Sequence, residues 1–198
     1  MGSDHVPREV DMDTIRPEET ESSERIYDGS LIAVRRDQVR LPNGGTATRE
    51  IVEHPPVVAM LVTGSDGRLL MVRQYRKPVE QTLLEIPAGG IEPGESELEA
   101  VKREMREETG YEPRRVERLL TIYPTPGVSD EVMHLYRAWD LQGDGRPTEA
   151  SDQLEVEWLE TGAAISMARR GEIVDAKSVV AILMLESASK HNEGRGAR

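Results

Sequence analysis

Short apolar runs broken by glycine and proline set the grain of this chain. Residues 57–62 are all apolar, 64–67 read Gly-Ser-Asp-Gly, and 69–72 are apolar again, which predicts two strands (57–63 and 68–75) joined by a hairpin turn. Further strands are expected at 83–86, 114–123, 131–140 and 154–159. Between them, 95–109 contains neither glycine nor proline, and Leu98, Val101 and Met105 fall at helical spacing, so one stripe of a helix there should face a core. Two more helices are expected over 161–171 and 175–189. Strands flanked by separate helices predict an α/β sandwich around a mixed sheet.

The first quarter of the chain reads differently. Residues 31–34 and 39–41 form short strands, 42–45 a Pro-Asn-Gly-Gly turn, and 46–53 a third strand of rough alternation. This small N-terminal antiparallel meander cannot bury both faces, so it needs a larger body or a partner subunit. Residues 1–24 are acidic and poor in large apolar groups, and they are expected to be a disordered arm. The expected organisation is therefore an arm over 1–24, a strand region for dimerisation over 25–55, a main domain over 56–190 and a disordered tail over 191–198.

Composition narrows the function. A net charge of −12 over 198 residues argues against a nucleic-acid polymer as partner, because phosphate contact needs a basic surface. The same charge repels small phosphorylated ligands unless bound cations intervene. With no cysteine, disulfides, thiolate catalysis and cysteine zinc sites are excluded. Neither a signal peptide nor an apolar run long enough for a membrane is visible, and a cytoplasmic protein is expected. His5, His54, His134 and His191 share no metal-ligand spacing; His134, on an apolar strand, is expected to be a core histidine.

The chemistry concentrates between Gly89 and Tyr111, where a glycine- and proline-rich loop runs into the first helix. Glu104 and Glu108 are four residues apart and Glu107 lies beside them. At about 100° per residue, the three carboxylates gather at one border of the apolar stripe. Like charges at that spacing cost about 0.2–0.5 kcal/mol per pair. A hard divalent cation, which takes oxygen ligands, turns that repulsion into binding.

Gly89, five residues, Glu95, seven residues, then Arg103-Glu104, Met105, Arg106, Glu107-Glu108, Thr109, Gly110 and Tyr111 match the Nudix box throughout. The sequence thus resembles a Nudix hydrolase, which implies the α/β/α Nudix sandwich and magnesium- or manganese-dependent cleavage of a nucleoside diphosphate linked to another group. Outside the box, Pro126 lies fifteen residues after Tyr111 in a Thr-Pro-Gly context followed by Glu131. That feature, with the runs at 36–40, 48–54, 72–76, 84–88 and 170–174, resembles bacterial ADP-ribose pyrophosphatases. The resemblance implies hydrolysis of ADP-ribose to AMP and ribose 5-phosphate in a homodimer whose N-terminal strands exchange between subunits.

By the same resemblance, Glu104, Glu108 and the carbonyl of Ala88 hold one metal ion, and Glu107 serves a second ion or orients water. Arg103 and Glu95 form a structural clamp. Arg76 meets substrate phosphate, where a guanidinium fork is suited to the task. Arg49 and Glu50 are placed near adenosine, and Gly90, Glu92, Thr125, Pro126, Gly127 and Glu131 line the substrate. The general base is open among Asp152, Glu149 and Glu107, since the family's glutamate position falls on Ala150. Two other functions stand beside the first: a pyrophosphatase for another nucleotide sugar such as GDP-mannose or ADP-glucose, and a sensor that binds ADP-ribose without cleaving it. Ala150 favours the sensor; the intact box glutamates favour catalysis.

Overall fold

A computed structural model describes residues 15–148 and 154–196 of the chain. It divides into two compact units, Met1–Glu53 and His54–Arg198. The first holds a three-stranded antiparallel sheet in the order β1 (Glu19–Asp28), β2 (Ala33–Arg40) and β3 (Thr46–Glu53). Ion pairs run across its strands, Arg36 to Glu24 at 3.6 Å and Arg35 to Glu53 at 2.6 Å among them.

The second unit is built on a seven-stranded sheet. Its main path is β10 (Leu154–Leu159), β5 (Leu69–Arg76), β4 (Val57–Thr63), β9 (Met133–Gly143) and β8 (Tyr111–Ile122). β6 (Gln81–Glu85) pairs with β5, and the short β7 (Ala88–Gly90) pairs with β4. β4 and β9 run parallel and the other pairs antiparallel, so the sheet is mixed. The two faces of β4 explain its uninterrupted apolar run. Val57, Ala59 and Leu61 face one core with Ala164 and Ala168 of α2 (Thr161–Arg170) and Ala181 and Ile182 of α3 (Ala176–Gly196). Val58, Met60 and Val62 face a second core with Ala100, Val101 and Met105 of α1 (Glu97–Thr109). Helices therefore cover both faces, and a strand covered on both faces has no polar side to show. Among the described residues, no helix is long and apolar enough to cross a membrane.

Several expectations are corrected. β1 starts at Glu19, inside the stretch expected to be disordered up to residue 24. All ten of its side chains are exposed, so it carries no hydrophobic period, and backbone pairing with β2 makes the strand. The two short strands expected at 31–34 and 39–41 are one, β2, whose polar centre conceals its continuity. α3 continues to Gly196, past the tail boundary expected at residue 191. On α1, Leu98 is 48% exposed, and the stripe against the sheet is Ala100, Val101 and Met105. His134 belongs to a polar cluster rather than to the core: its Nδ1 lies 2.7 Å from Arg118 Nη2 and its Nε2 3.5 Å from Glu97.

α1 has well-defined ends. Ser96 accepts the backbone N–H of Glu99 while Glu99 accepts that of Ser96, a reciprocal capping box, and Gly110 closes the helix at φ 72°. Ser96→Ala removes the hydroxyl from this box and should lower stability by about 1 kcal/mol. Urea unfolding of the variant beside wild type measures the loss.

Candidate active site

β7 and α1 bring the box residues together. Val58 and Ala59 of β4 pair with Gly89 and Ala88, which fixes the loop against the sheet. Val101 and Met105, both fully buried, fix the rotation of α1 and turn Glu104 and Glu108 toward that loop. Glu108 Oε2 accepts the backbone N–H of Ala88 at 3.1 Å. Glu104 sits directly over Gly89: a Cβ built at that glycine would lie 1.9 Å from the Glu104 carboxyl carbon. Adjacent loop residues thus receive the two carboxylates.

Arg103 holds the cluster open. Its Nε and Nη2 meet the two oxygens of Glu95 at 2.8 and 2.9 Å, Nη1 reaches Glu104 at 2.6 Å and Glu107 at 3.0 Å, and Nη2 also donates to the Gly90 carbonyl at 2.7 Å. The clamp of Arg103 on Glu95 is the one expected from the sequence. The hydrogen bonds that Arg103 donates to Glu95 lower the Glu95 pKa and raise that of Arg103. Glu108 is pushed the other way, to about 7, first by burial and then by the charge of Glu104.

Among the described residues, no three His, Cys, Asp or Glu side chains are gathered closely enough to form a ready metal cage. The donor set nevertheless suits a hard divalent cation. It is made of oxygens, one carboxylate is seated where only glycine leaves room, and its neighbour is penalised as an anion until positive charge arrives. Glu104, Glu108, Glu107 and the Ala88 carbonyl are the groups able to hold such an ion.

The remaining expected residues are placed as follows. Arg76 lies close enough to Glu108 for their charges to interact. Its Nε and Nη2 make a two-pronged bond, 2.8 Å each, to the buried carboxylate of Glu85. Glu92 is exposed at the box loop and gives its N–H to Glu95 at 3.0 Å. Thr125, Pro126 and Gly127 form an exposed bend in which the Thr125 carbonyl accepts from Val128 and Ser129 at 3.1 and 3.0 Å. Glu131 follows it, half-buried, with its N–H on Ser129 Oγ. In the N-terminal unit, Arg49 pairs with Glu18 and Glu50 lies 3.9 Å from Arg36. Glu149 and Asp152, two of the three base candidates, lie outside the described residues, as does Ala150.

Sequence reasoning missed Glu85 and its second partner, Lys177. Both are buried, and Lys177 Nζ donates to Glu85 Oε2. Burial alone would raise the Glu85 pKa, but Arg76 and Lys177 together outweigh it and lower it. The available signal was a lone acidic residue inside the apolar run Leu83-Leu84-Glu85-Ile86.

Two consequences are testable. The atoms nearest the methyl of Gly89→Ala are the flexible end of Glu104, so the change should alter stability by less than about 1 kcal/mol, yet displace that carboxylate. Manganese affinity measured by calorimetry should then fall about 10- to 100-fold. The second concerns pH. Without metal, Glu108 keeps its proton up to about 7 when folded, against an ordinary value of 4.5. The unfolded chain therefore releases its proton first as pH rises, and metal-free stability should decline from about 4.5 to about 7. The lowered carboxylates Glu85 and Glu95 lose their contribution only as pH falls below that window. Denaturant melts across the window should show a decline that Glu108→Gln removes.

Comparison with known proteins agrees with this geometry. The NUDIX domain model matches residues 53–181, and a nucleoside diphosphate sugar hydrolase N-terminal domain model matches residues 18–52. The ADP-ribose pyrophosphatase of Bacillus subtilis is 37% identical over 85% of this chain and 92% of its own length. That of Mycobacterium tuberculosis is 36% identical over 86% and 84%. The methanol dehydrogenase activator of Bacillus methanolicus is 38% identical over 88% and 96%. A crystal structure of an ADP compounds hydrolase superposes with a TM-score of 0.79 over 90% of this chain and 97% of the other, at 21% identity, which shows the shared fold. With a family model covering most of its length, the chain belongs to the Nudix family of hydrolases.

Proposed function

We propose that the chain hydrolyses the pyrophosphate of ADP-ribose to AMP and ribose 5-phosphate. The observation that carries this reading is the seating of Glu104 and Glu108 on consecutive loop residues of an intact Nudix box. Two ADP-ribose pyrophosphatases that match both units of the chain at 36–37% identity support the substrate.

Glu104, Glu108 and the Ala88 carbonyl are assigned to one divalent ion, magnesium or manganese, and Glu107 to a second. Such ions supply an acidified water and neutralise charge on the leaving phosphate oxygen. The chain's own residues do the rest. Arg76 binds a phosphate oxygen and orients the diphosphate, with Gly90, Glu92, the Thr125-Pro126-Gly127 bend and Glu131 assigned to the rest of the substrate. A carboxylate, Glu107, Glu149 or Asp152, takes a proton from the attacking water. The water oxygen joins one phosphorus, the bridging P–O bond breaks, and the second phosphate leaves as a monoester. Arg49 and Glu50 are assigned to the adenosine, within a homodimer formed through the N-terminal strands. The uniform exposure of β1 supports that assembly, because a strand with no buried side chain leaves its surface available to a partner. A cytoplasmic location completes the proposal.

Hydrolysis of a nucleotide-sugar panel with magnesium tests the reading. ADP-ribose should be cleaved in preference to GDP-mannose and ADP-glucose. Glu108→Gln should lower kcat/KM by about 1,000-fold, the equivalent of about 4 kcal/mol of lost charge stabilisation. Preference for GDP-mannose would replace the substrate while leaving the site intact. Tight binding of ADP-ribose without cleavage of any substrate would point instead to a sensor.

A further inference from the structure

The buried charges beside the box form a connected unit that the reaction above does not use. Glu85 is 1% exposed at the end of β6, and both its oxygens are bonded to cations. Arg76 approaches edge-on, Nε on Oε1 and Nη2 on Oε2, and Lys177 adds Nζ to Oε2. Lys177 is itself 6% exposed and lies 3.0 Å from Asp175 Oδ1. The other Asp175 oxygen accepts the Ser178 N–H at 3.0 Å and its hydroxyl at 2.6 Å, as a helix N-cap does. Ser178 Oγ then accepts the N–H of Ile86 at 2.8 Å. The first turn of α3 is thus bonded to Glu85 and Ile86, just before the Ala88 and Gly89 that receive the box carboxylates.

This arrangement has a directional consequence. A guanidinium held by its Nε–Nη2 edge cannot rotate about its last bonds without breaking both hydrogen bonds at once. Arg76 keeps 39% of its side chain exposed, and its remaining nitrogen, Nη1, has no hydrogen bond to a described residue. Glu85 therefore fixes the plane in which the open edge of Arg76 is presented. Lys177 is required in turn: one buried carboxylate shared with a half-exposed arginine is poorly compensated, and a second, buried cation keeps it ionised and in place. Stability alone does not account for the unit, because buried ion pairs are frequently no more stabilising than apolar residues of equal volume.

We propose that Glu85 and Lys177 are positioning residues that orient the guanidinium of Arg76 toward a phosphate oxygen of the substrate. The proposal rests on the reading of Arg76 as the phosphate contact.

A double-mutant cycle tests it, run on whichever nucleotide sugar wild type cleaves, so that a wrong substrate assignment is detected by wild type itself. Arg76→Ala and Glu85→Gln should each lower kcat/KM by about 10- to 100-fold, mainly through KM. In the Arg76→Ala background, Glu85→Gln should have almost no further effect, because its target is gone. Lys177→Met should show the same dependence on Arg76 with a smaller loss. Arg76→Lys, which keeps the charge at a half-exposed position and loses the fork, should behave like Arg76→Ala, and it keeps the test open if Glu85→Gln does not fold. Additive losses in the cycle would assign Glu85 a merely structural role and overturn the proposal. Full activity in Arg76→Lys would overturn it as well, since orientation of a fork would then be irrelevant.

Discussion

Two carboxylates held against one short loop are the constraint on which the second unit depends. Glu104 and Glu108 belong to one helix at a spacing where like charges repel, and packing against β7 removes part of the water that would screen them. Each structural feature nearby answers that repulsion. The Ala100, Val101 and Met105 stripe sets the helix rotation, and the capping box and Gly110 set its length. Gly89 leaves the space Glu104 occupies, and Arg103 places positive charge between Glu104 and Glu107. Burial first, and then the charge of Glu104, leave Glu108 holding its proton up to about 7. A divalent ion would complete the compensation, so the fold and the metal requirement share one electrostatic origin.

How much of this is legible in the sequence follows from where the information sits. The box is legible because its demands are local: a glycine, a cap, a stripe and three glutamates at fixed spacing on one helix. The central strands are legible because β4 is covered on both faces and reads as an unbroken apolar run. β1 is not, since none of its side chains is buried and its partner strand, not its own pattern, makes it a strand. Leu98 shows the limit of periodicity, which identifies a stripe but not which neighbouring small residue, here Ala100, meets the sheet. The Glu85 unit is the hardest to foresee. Its partners lie nine and ninety-two residues away in sequence, and no spacing rule links a strand-end glutamate to a lysine in the first turn of the last helix.

That distant pairing gives α3 a role beyond covering the sheet. α1 supplies the carboxylates from one face, while α3 reaches the same loop from the other through Lys177 and Ser178. The loop from Glu85 to Gly90 is therefore fixed by both helical layers and by its pairing with β4. Attachment from two sides suits a site that must hold its groups within a fraction of an ångström while β7 itself is only three residues long.

The balance of charge within the site bears on its specificity for anions. The chain carries a net charge of −12, and a diphosphate approaching it meets a repulsive field at long range. Short-range attraction must therefore come from groups whose positive charge is not already spent. Arg103 is fully engaged by Glu95, Glu104, Glu107 and the Gly90 carbonyl. Lys177 is buried between Glu85 and Asp175. Arg76 differs from both: it shares Glu85 with Lys177, so one carboxylate is divided between two cations, and its outer edge stays exposed. Glu85 and Asp175 together balance Arg76 and Lys177, so what sets Arg76 apart is geometric: of these cations it alone keeps an edge open where a phosphate oxygen would arrive.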